Sequence, residues 1–139
     1  MVKKLSDFSV VIRARNEERW IGYAIQSVLD HLIKPEIVIV DNNSTDRTLE
    51  ICKKLKVRIY QNKFINQAIQ MNWALKNINI KSKWIFRIDA DELIDKDSLI
   101  HIGNITKSIK NISGVIVNRK VKFLNKIINY GLTSPHKTL

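Results

Sequence analysis

Three polar clusters in the sequence each follow an apolar run and carry residue types that bind cations, phosphates or nucleobases. The clusters are residues 13–18, 41–46 and 89–92, and the runs before them are residues 8–12, 37–40 and 84–88. An apolar run of four or five residues is typical of a buried strand, so each cluster is predicted to begin at a strand end. In an open parallel sheet, ligands bind beyond the carboxyl ends of the strands. We therefore expect the three clusters to meet at one sheet edge and form a binding site.

The third cluster, Asp89-Ala90-Asp91-Glu92, has the chemistry of a divalent metal site. Carboxylates are hard oxygen ligands that suit Mn²⁺ or Mg²⁺, and these ions complete their shells with water and phosphate oxygens. Such an ion neutralises a diphosphate and makes it a better leaving group. The alternative is a strand-terminal turn in which Asp91 caps the next helix, and the residues by themselves leave both interpretations open.

The second cluster begins with Asp41, directly after the most apolar run of the chain. A carboxylate at this position can accept a charge-assisted hydrogen bond from a nucleobase imide or a ribose hydroxyl. Asn42, Asn43 and Ser44 are turn-forming residues, so an Asx turn is the other interpretation. The two interpretations are compatible with each other.

The elements that must position these clusters alternate between strand and helix patterns. Strands are predicted at residues 8–12, 37–40, 57–60, 84–88 and 114–117. Between them, apolar residues recur at helical spacing in four groups: Ile21, Ala24, Ile25, Val28; Thr48, Cys52, Leu55; Ala68, Met71, Leu75, Ile78; and Leu99, Ile102, Ile105, Ile109. Asn16 and Asp95 are predicted to cap the first and last helix. The alternation predicts an α/β fold, with a mostly parallel sheet covered by helices on both faces.

The charge of the chain is unevenly distributed along the sequence. The net charge is +11, from 24 Lys and Arg against 13 Asp and Glu, and no acidic residue follows Asp97. The basic tail predicts an anionic partner, such as a phosphate ligand, a nucleic acid or an acidic membrane surface. The other interpretation is a solvated basic face without a specific partner.

Length and composition bound the class of protein. The 139 residues are 45% hydrophobic with only 4 Gly and 2 Pro, which excludes a disordered chain. A single domain is predicted over residues 1–139, with a core at 7–118 and a basic tail at 119–139. No apolar run approaches the roughly 20 residues that cross a bilayer, and the single Cys52 excludes a disulfide framework. We expect a cytoplasmic protein whose tail makes peripheral contact with anionic membranes.

The order and spacing of the three clusters and their strands strongly resemble family 2 glycosyltransferases, which use nucleotide-sugar donors on a GT-A fold. The segment between the second and third clusters also resembles this family, at Asn62, Gln67, Ala68 and Asn72. The Asp-Ala-Asp-Glu motif and the later pair Asn118-Arg119 are similar to the branch that builds lipopolysaccharide cores and other surface glycans. The resemblance covers residues 7–125, which correspond to the donor-binding half. It implies a GT-A fold truncated at its C-terminus.

The resemblance implies a role for individual residues. Asp41 would read the base, expected to be uracil in a UDP-sugar, because a uracil imide is a fitting donor to a carboxylate. Asp91 would ligate the Mn²⁺ or Mg²⁺ ion that bridges the diphosphate, with Asp89 facing the ribose or sugar and serving as a second metal ligand. The remaining residues expected to line the nucleotide pocket are Ala14, Asn16, Glu17 and Asn43. Members of the family usually have Pro where Arg13 stands, so Arg13 is expected to reach the phosphates directly.

The resemblance also implies transfer to a glycan or lipid-linked acceptor with inversion at the anomeric carbon. A base must then deprotonate the acceptor hydroxyl. Asp95 and His136 are the candidates for that base, because no carboxylate follows Asp97. The main alternative is therefore a catalytically incomplete domain that binds a nucleotide sugar without transferring it.

Two other classes of protein are less consistent with the sequence. A phosphotransferase of the haloacid-dehalogenase type would share the Asp-rich loop at Asp89, but it needs further acidic residues downstream that this chain lacks. A basic nucleic-acid-binding module would explain the charge. The sequence has no helix-turn-helix, zinc or aromatic-sheet signature of such a module, and nucleic acid is not expected as the partner.

Overall fold

The computed structural model of the chain describes residues 7–128 and 137–138. Two compact units are present, Met1–Leu99 and Ile100–Leu139. The sequence-based division into a core at 7–118 and a tail at 119–139 remains a prediction. No helix among the described residues is long and apolar enough to cross a membrane.

A four-stranded parallel sheet forms the centre of the first unit. Its strands are β1 (Phe8–Ala14), β2 (Glu36–Asp41), β3 (Arg58–Gln61) and β4 (Trp84–Asp89), in the order β3-β2-β1-β4. The helices between and after them are α1 (Ile21–His31), α2 (Thr48–Lys54), α3 (Gln67–Asn77) and α4 (Lys96–Ser108). The predicted α/β fold with a parallel sheet is therefore confirmed.

The strand order explains how helices come to lie on both faces of this sheet. The chain moves in one direction from β1 to β3, then returns past β2 and β1 to form β4. Because parallel crossovers are right-handed, α1 and α2 are placed on one face and α3 on the other. The direction of winding reverses between β1 and β4. Ligands of open parallel sheets bind at such a switch point.

The core is centred on β1 and β2, the two inner strands, whose side chains are buried on both faces of the sheet. Every residue of β1 is buried, and only Glu36 of β2 is partly exposed. On one face, Val11, Val38 and Val40 pack with Ala74 and Ile78 from α3 and the residue after it. Strands that are covered on both faces read as continuous apolar runs, which is why the sequence shows them clearly.

Helix α3 buries only part of the stripe that its apolar spacing indicates. Met71 and Ile78 pack in the core, but Ala68 and Leu75 are exposed, with Leu75 at 47%. Gln70, a polar residue outside that stripe, is buried. Hydrophobic spacing therefore indicates the buried face of α3 only in part.

The two predicted helix caps have different outcomes. Asp95 caps α4, since its Oδ1 accepts a hydrogen bond from Ser98 N at 2.9 Å. Asn16 does not cap α1: Trp20 occupies the N-cap position, and no side chain caps that end. Asn16 instead has a left-handed backbone with φ of 53° and contacts the loop after β2. The predicted cap at Asn16 is wrong because its side chain instead accepts a hydrogen bond from Thr45 N, in the loop after β2.

The second unit contains short antiparallel pairs. Strand β5 (Val117–Asn118) pairs with β8 (Lys137–Thr138), and β6 (Val121–Phe123) pairs with β7 (Lys126–Ile128). The sequence predicts a fifth strand at 114–117, and only its last residue is in a strand, which pairs outside the parallel sheet. That prediction is wrong because an apolar run does not specify its pairing partner.

Candidate functional site

The carboxyl ends of β1, β2 and β4 bring the three polar clusters together. Backbone hydrogen bonds continue beyond the strand ends, from Asn42 N to Ala14 O at 2.9 Å and from Ala90 N to Arg13 O at 3.1 Å. Each loop is therefore held by β1, the strand beside the switch point. The structure therefore brings the three clusters together at one edge of the sheet, as expected from the sequence. These are residues 13–18, 41–46 and 89–92.

An ion pair joins the first cluster to the third. Arg13 and Asp89 are register partners on β1 and β4, and Arg13 Nε donates to Asp89 Oδ1 at 2.9 Å. The Arg13 side chain is only 9% exposed. The expectation that Arg13 reaches phosphates directly is therefore wrong in this structure, because the buried guanidinium is engaged by Asp89. A partner 76 residues away is invisible in the sequence.

The first and second loops are tied together around Asn16. Its backbone N–H donates to Ser44 Oγ at 2.9 Å, and its side-chain Oδ1 accepts from Thr45 N at 2.8 Å. Both Asn16 and Asn43 have left-handed backbones, with φ of 53° and 51°. Asparagine tolerates this conformation better than most residues, which explains its use at these turns. Asn43 is exposed at the rim of the site.

Two further contacts lock these loops at the start of α2. Glu17 N donates to Thr48 Oγ1 at 2.8 Å, and Glu18 N donates to Asp46 Oδ2 at 3.0 Å. Burial disfavours ionisation of Asp46, but hydrogen bonds from the Thr48 hydroxyl and backbone outweigh it, so the pKa of Asp46 lies below its usual value. Asp46 therefore stays ionised and holds the loop.

Asp41 is fully buried and already engaged. Its Oδ2 accepts from Ser44 N at 2.9 Å, its Oδ1 accepts from the Ser44 hydroxyl, and Gln61 Nε2 lies 3.5 Å from Oδ2. The Asx-turn interpretation is thus what this structure contains. A carboxylate offers about four acceptor positions, so the turn does not exhaust its capacity.

The acidic side chains at this edge generate a shared negative field. Burial raises the pKa of Glu17 first, and the nearby charges of Asp91, Asp46 and Asp89 raise it further. Asp91 is exposed, and no hydrogen bond or ion pair holds its carboxylate within the part of the chain that the structure describes. Asp89, by contrast, is anchored by Arg13. The Asp91 carboxylate is therefore available to meet a cation.

These residues fit a divalent ion that takes few ligands from the protein. Among residues 7–128 and 137–138, no three His, Cys, Asp or Glu side chains are grouped as a complete metal site. Mg²⁺-like ions bind through one or two carboxylates and otherwise through water and ligand phosphates. An exposed Asp91 in a negative field matches that kind of site.

The structure bears on only one of the two candidate bases. The Asp95 carboxylate accepts hydrogen bonds from Ser98 N at 2.9 Å and from Ser98 Oγ at 2.6 Å, so it is engaged as a helix cap. His136 lies outside the described residues.

One buried polar group was not predicted. Gln70 is 2% exposed, and its Nε2 has no hydrogen-bond partner among the described residues. A glutamine inside an apolar helical pattern is the only sequence signal that could have indicated it.

A separate cleft of about 460 Å³ lies at the amino ends of β2 and β3, where Glu36 and Arg58 form an ion pair. Arg58 also donates to Asn79 O at 3.1 Å and to the Tyr60 hydroxyl at 2.6 Å. The polar groups around Arg58 in this cleft therefore pair with one another. The cleft lies at the opposite edge of the sheet from the three clusters, and we assign it no ligand.

Comparisons with known proteins agree on one family. The family described as Glycosyl transferase family 2 matches residues 9–130. The lipopolysaccharide core biosynthesis glycosyltransferase LpsC of Rhizobium meliloti is 32% identical over 138 residues, covering 96% of this chain and 47% of LpsC. Across the curated relatives compared, the chain spans 16% to 47% of their length. More than half of each relative therefore lies outside the match.

Two solved structures share the fold. S. aureus TarS, residues 1–349, gives a TM-score of 0.58 at 24% identity, covering 86% of this chain and 43% of TarS. Glucosyl-3-phosphoglycerate synthase from Mycobacterium tuberculosis, in complex with Mn²⁺, UDP and glucosyl-3-phosphoglycerate, gives a TM-score of 0.50 at 23% identity. That match covers 60% of this chain and 33% of the synthase. Sequence identities at this level show that the fold is shared and nothing more.

Proposed function

This chain belongs to glycosyl transferase family 2, and from that premise we propose that it binds the nucleotide-sugar donor of a glycosyltransferase. The observation that carries the proposal is the meeting of three polar loops at the switch point between β1 and β4. The proposed donor is a UDP-sugar. UDP in a structure that shares the fold supports this choice, as does a carboxylate at the end of β2.

The base is read, in this proposal, by Asp41 at the end of β2. A uracil imide is a donor, so an ionised carboxylate accepts from it with charge assistance. Gln61 Nε2 makes the longest of the Asp41 contacts, at 3.5 Å, and is the partner that most easily yields its place to a base. Ser44 then keeps the carboxylate oriented through its two hydrogen bonds.

The loops joined at Asn16 form the remaining wall of the nucleotide pocket. We assign this wall to Ala14 at the end of β1, the Asn16 and Glu17 backbone turn, and Asn43 at the rim. Between the two loops, five backbone N–H groups donate hydrogen bonds to side chains of the facing loop, and these bonds order the wall before a ligand arrives. A wall that is ordered in advance loses little conformational entropy on binding.

Asp91, with Asp89 beside it, would hold the divalent ion, which we take to be Mn²⁺ or Mg²⁺. When bound, such an ion neutralises charge on a diphosphate leaving group. Arg13 holds the Asp89 carboxylate through Oδ1, so Oδ2 is the oxygen that would contact the ion. The negative field at Glu17 supplies the electrostatic attraction for a cation.

The whole protein's activity, in this proposal, is inverting transfer to a glycan or lipid-linked acceptor. The acceptor hydroxyl must lose a proton to a base as it attacks. Asp95 would have to release the α4 cap to serve, which leaves His136 as the other candidate. We place the protein in the cytoplasm, with peripheral membrane contact through its basic C-terminal region.

Calorimetric titration with nucleotide diphosphates and their sugars tests the donor proposal. UDP is expected to bind more tightly than CDP or GDP, and Mn²⁺ is expected to strengthen UDP binding. EDTA-treated protein provides the metal-free reference. Equal binding of all three nucleotides would contradict base reading at Asp41, and absence of binding to any of them would contradict the donor site itself.

A further inference from the structure

A hairpin in the second unit presents apolar side chains to solvent at its tip. Strands β6 and β7 pair from Val121 with Ile128 to Phe123 with Lys126. At the tip, Phe123 is 64% exposed and Leu124 is 82% exposed, the highest value among the large hydrophobic residues described. Side chains of this kind are normally turned inward, and a group of them at one exposed tip indicates an interaction surface.

The turn of this hairpin is occupied by a residue that does not favour it. Leu124 and Asn125 are the two central residues, and both have positive φ, at 46° and 62°. Two-residue hairpin turns of this type favour Asn-Gly, because both central residues must adopt the left-handed region. Asn125 meets that requirement, and Leu124 meets it only with strain. A strained leucine that is 82% exposed gains little packing in return for the strain, which points to a contact outside the fold.

Positive charge surrounds the apolar tip. Lys120, Lys122 and Lys126 are all exposed beside it. No acidic residue follows Asp97 anywhere in the sequence, so the charge of this hairpin is not balanced within its own segment. An apolar end with a basic collar matches the boundary of an anionic bilayer, where acyl chains lie just beneath negative headgroups.

We propose that the hairpin at residues 120–128 inserts its tip, Phe123 and Leu124, into an anionic membrane surface while its lysines contact the headgroups. This inference rests on the peripheral membrane contact in the proposed function and assigns that contact to one element. The phosphates of a nucleic acid would bind the lysines, but a nucleic acid has no apolar layer that could accommodate an exposed leucine. The hydrophobic tip therefore favours a lipid surface.

Vesicle co-sedimentation of the 139-residue chain tests the assignment. The probe is phosphatidylcholine vesicles with about one third phosphatidylglycerol, compared with pure phosphatidylcholine. Binding is expected only to the anionic vesicles and should weaken as salt is raised. Leu124→Asn is the decisive variant, because Asn suits the left-handed turn and removes the apolar tip. We expect it to fold at least as stably as the parent chain and to lose roughly tenfold in vesicle affinity.

The charge contribution has its own variant and a matched control. Lys122→Gln/Lys126→Gln is expected to lower affinity about 30-fold, since each base near an anionic surface contributes about fivefold. Lys53→Gln/Lys76→Gln removes the same charge from exposed positions on α2 and α3 and should change affinity far less. Leu75→Gln, which removes an exposed leucine from α3, is the control for the tip.

Four outcomes would overturn the assignment. These are absence of anionic vesicle binding, unchanged binding by Leu124→Asn, duplex DNA binding that Leu124→Asn leaves intact without vesicle binding, and self-association that Leu124→Asn abolishes without vesicle binding. UDP titration of the same samples separates this inference from the donor proposal. Vesicle binding without UDP binding would contradict the donor proposal alone, and UDP binding without vesicle binding would contradict the hairpin alone.

Discussion

Arg13 and Asp89 face each other in register on β1 and β4, and their ion pair closes the carboxyl edge of the sheet at the switch point. Arg13 is 9% exposed and Asp89 is 35% exposed, so the base is the buried member and the acid is the partly solvated one. The two aspartates of the Asp-Ala-Asp motif are therefore not equivalent. Asp89 already has a counter-ion, while Asp91 is exposed in a negative field.

Arg13→Met should destabilise the fold, because it leaves Asp89 without its counter-ion beside a buried strand. Breaking a buried pair typically costs 3–5 kcal/mol, and solvent at Asp89 reduces this to about 1–3 kcal/mol. Urea unfolding measures the change. Arg13→Lys keeps the charge but loses the guanidinium geometry, so its unfolding free energy should lie between those of the parent chain and Arg13→Met. Parent-like stability of Arg13→Met would mean that the pair contributes nothing to the fold.

Asp91→Asn should abolish the strengthening of UDP binding by Mn²⁺ while leaving the unfolding free energy unchanged. The reason is that an exposed carboxylate without a hydrogen bond contributes little to stability. Removing the Asp91 charge should also lower the raised pKa of Glu17, which carbon-detected NMR titration can follow. Asp97→Asn, at an exposed position in the first turn of α4, is the control. Unchanged Mn²⁺ dependence in Asp91→Asn would remove Asp91 from the metal site.

Asp41→Asn should lower uridine affinity by about 1.5–3 kcal/mol, because the charge-assisted acceptor is lost while the side chain keeps its size. Calorimetry with UDP measures this. The same change weakens the turn to Ser44, so stability must be measured in parallel. Ser44→Ala is the matched variant: it removes the hydroxyl of the turn and keeps the carboxylate, so it should retain most of the UDP affinity. Equal UDP binding by Asp41→Asn and the parent chain would exclude Asp41 as the base reader.

Glu36→Gln should destabilise the protein at neutral pH by about 1–2 kcal/mol. Burial of Glu36 disfavours its charged form, yet hydrogen bonds from Ser9 and Lys81 and the charge of Arg58 outweigh it and hold the pKa below its usual value. Since the folded-state pKa is below the unfolded one, the stabilisation is present above about pH 4.5 and is lost as pH falls through the folded-state pKa.

Denaturant unfolding at several pH values tests this linkage. The difference in unfolding free energy between the parent chain and Glu36→Gln should be largest near pH 7 and should shrink toward pH 3. Glu50→Gln is the control, since Glu50 pairs with Lys54 on an exposed helix surface, where such pairs contribute little. A difference for Glu36→Gln that stays constant with pH would show that its charge is not the source of stability.

Cys52 should be almost inert to alkylation in the folded protein. The thiol is fully buried, and burial together with the charge of Asp41 raises its pKa to about 11. At pH 8 the thiolate fraction is then roughly 100-fold smaller than that of a thiol with the ordinary value. Iodoacetamide labelling followed by mass spectrometry checks this in native buffer and in urea. Equal labelling rates in the two conditions would contradict burial of Cys52.

Features that depend on one short segment of the chain could be predicted from the sequence. The runs that became β1 and β2 were predicted because strands buried on both faces are nearly uninterrupted in apolar residues. The run that became β4 was also predicted, although most residues of this edge strand are only partly buried. The position of the three polar clusters followed from parallel-sheet topology. The family followed from the order of those clusters, and the comparisons confirm it.

Long-range pairing was not readable. Arg13 was expected to reach phosphates because it stands where the resembled family usually has Pro, and only the register of β1 with β4 shows that Asp89 is its partner. Gln70 lies outside the apolar stripe of α3 and is buried, whereas Leu75 within that stripe is exposed. Asn16 looked like a helix cap because its use by Thr45 depends on a loop 29 residues away. In each case the deciding contact joins segments that are remote in the chain.

The position of β1 between β2 and β4 has a consequence for biosynthesis. Arg13 and its partner on β4 are 76 residues apart, and ribosomes extend a chain by about 5–20 residues per second, so roughly 4–15 s separate their synthesis. During that interval one side of a largely apolar strand has no partner, and such an edge can template pairing with a neighbouring nascent chain. Yield in a host cell should therefore depend on how well chaperones shield this waiting edge while elongation continues.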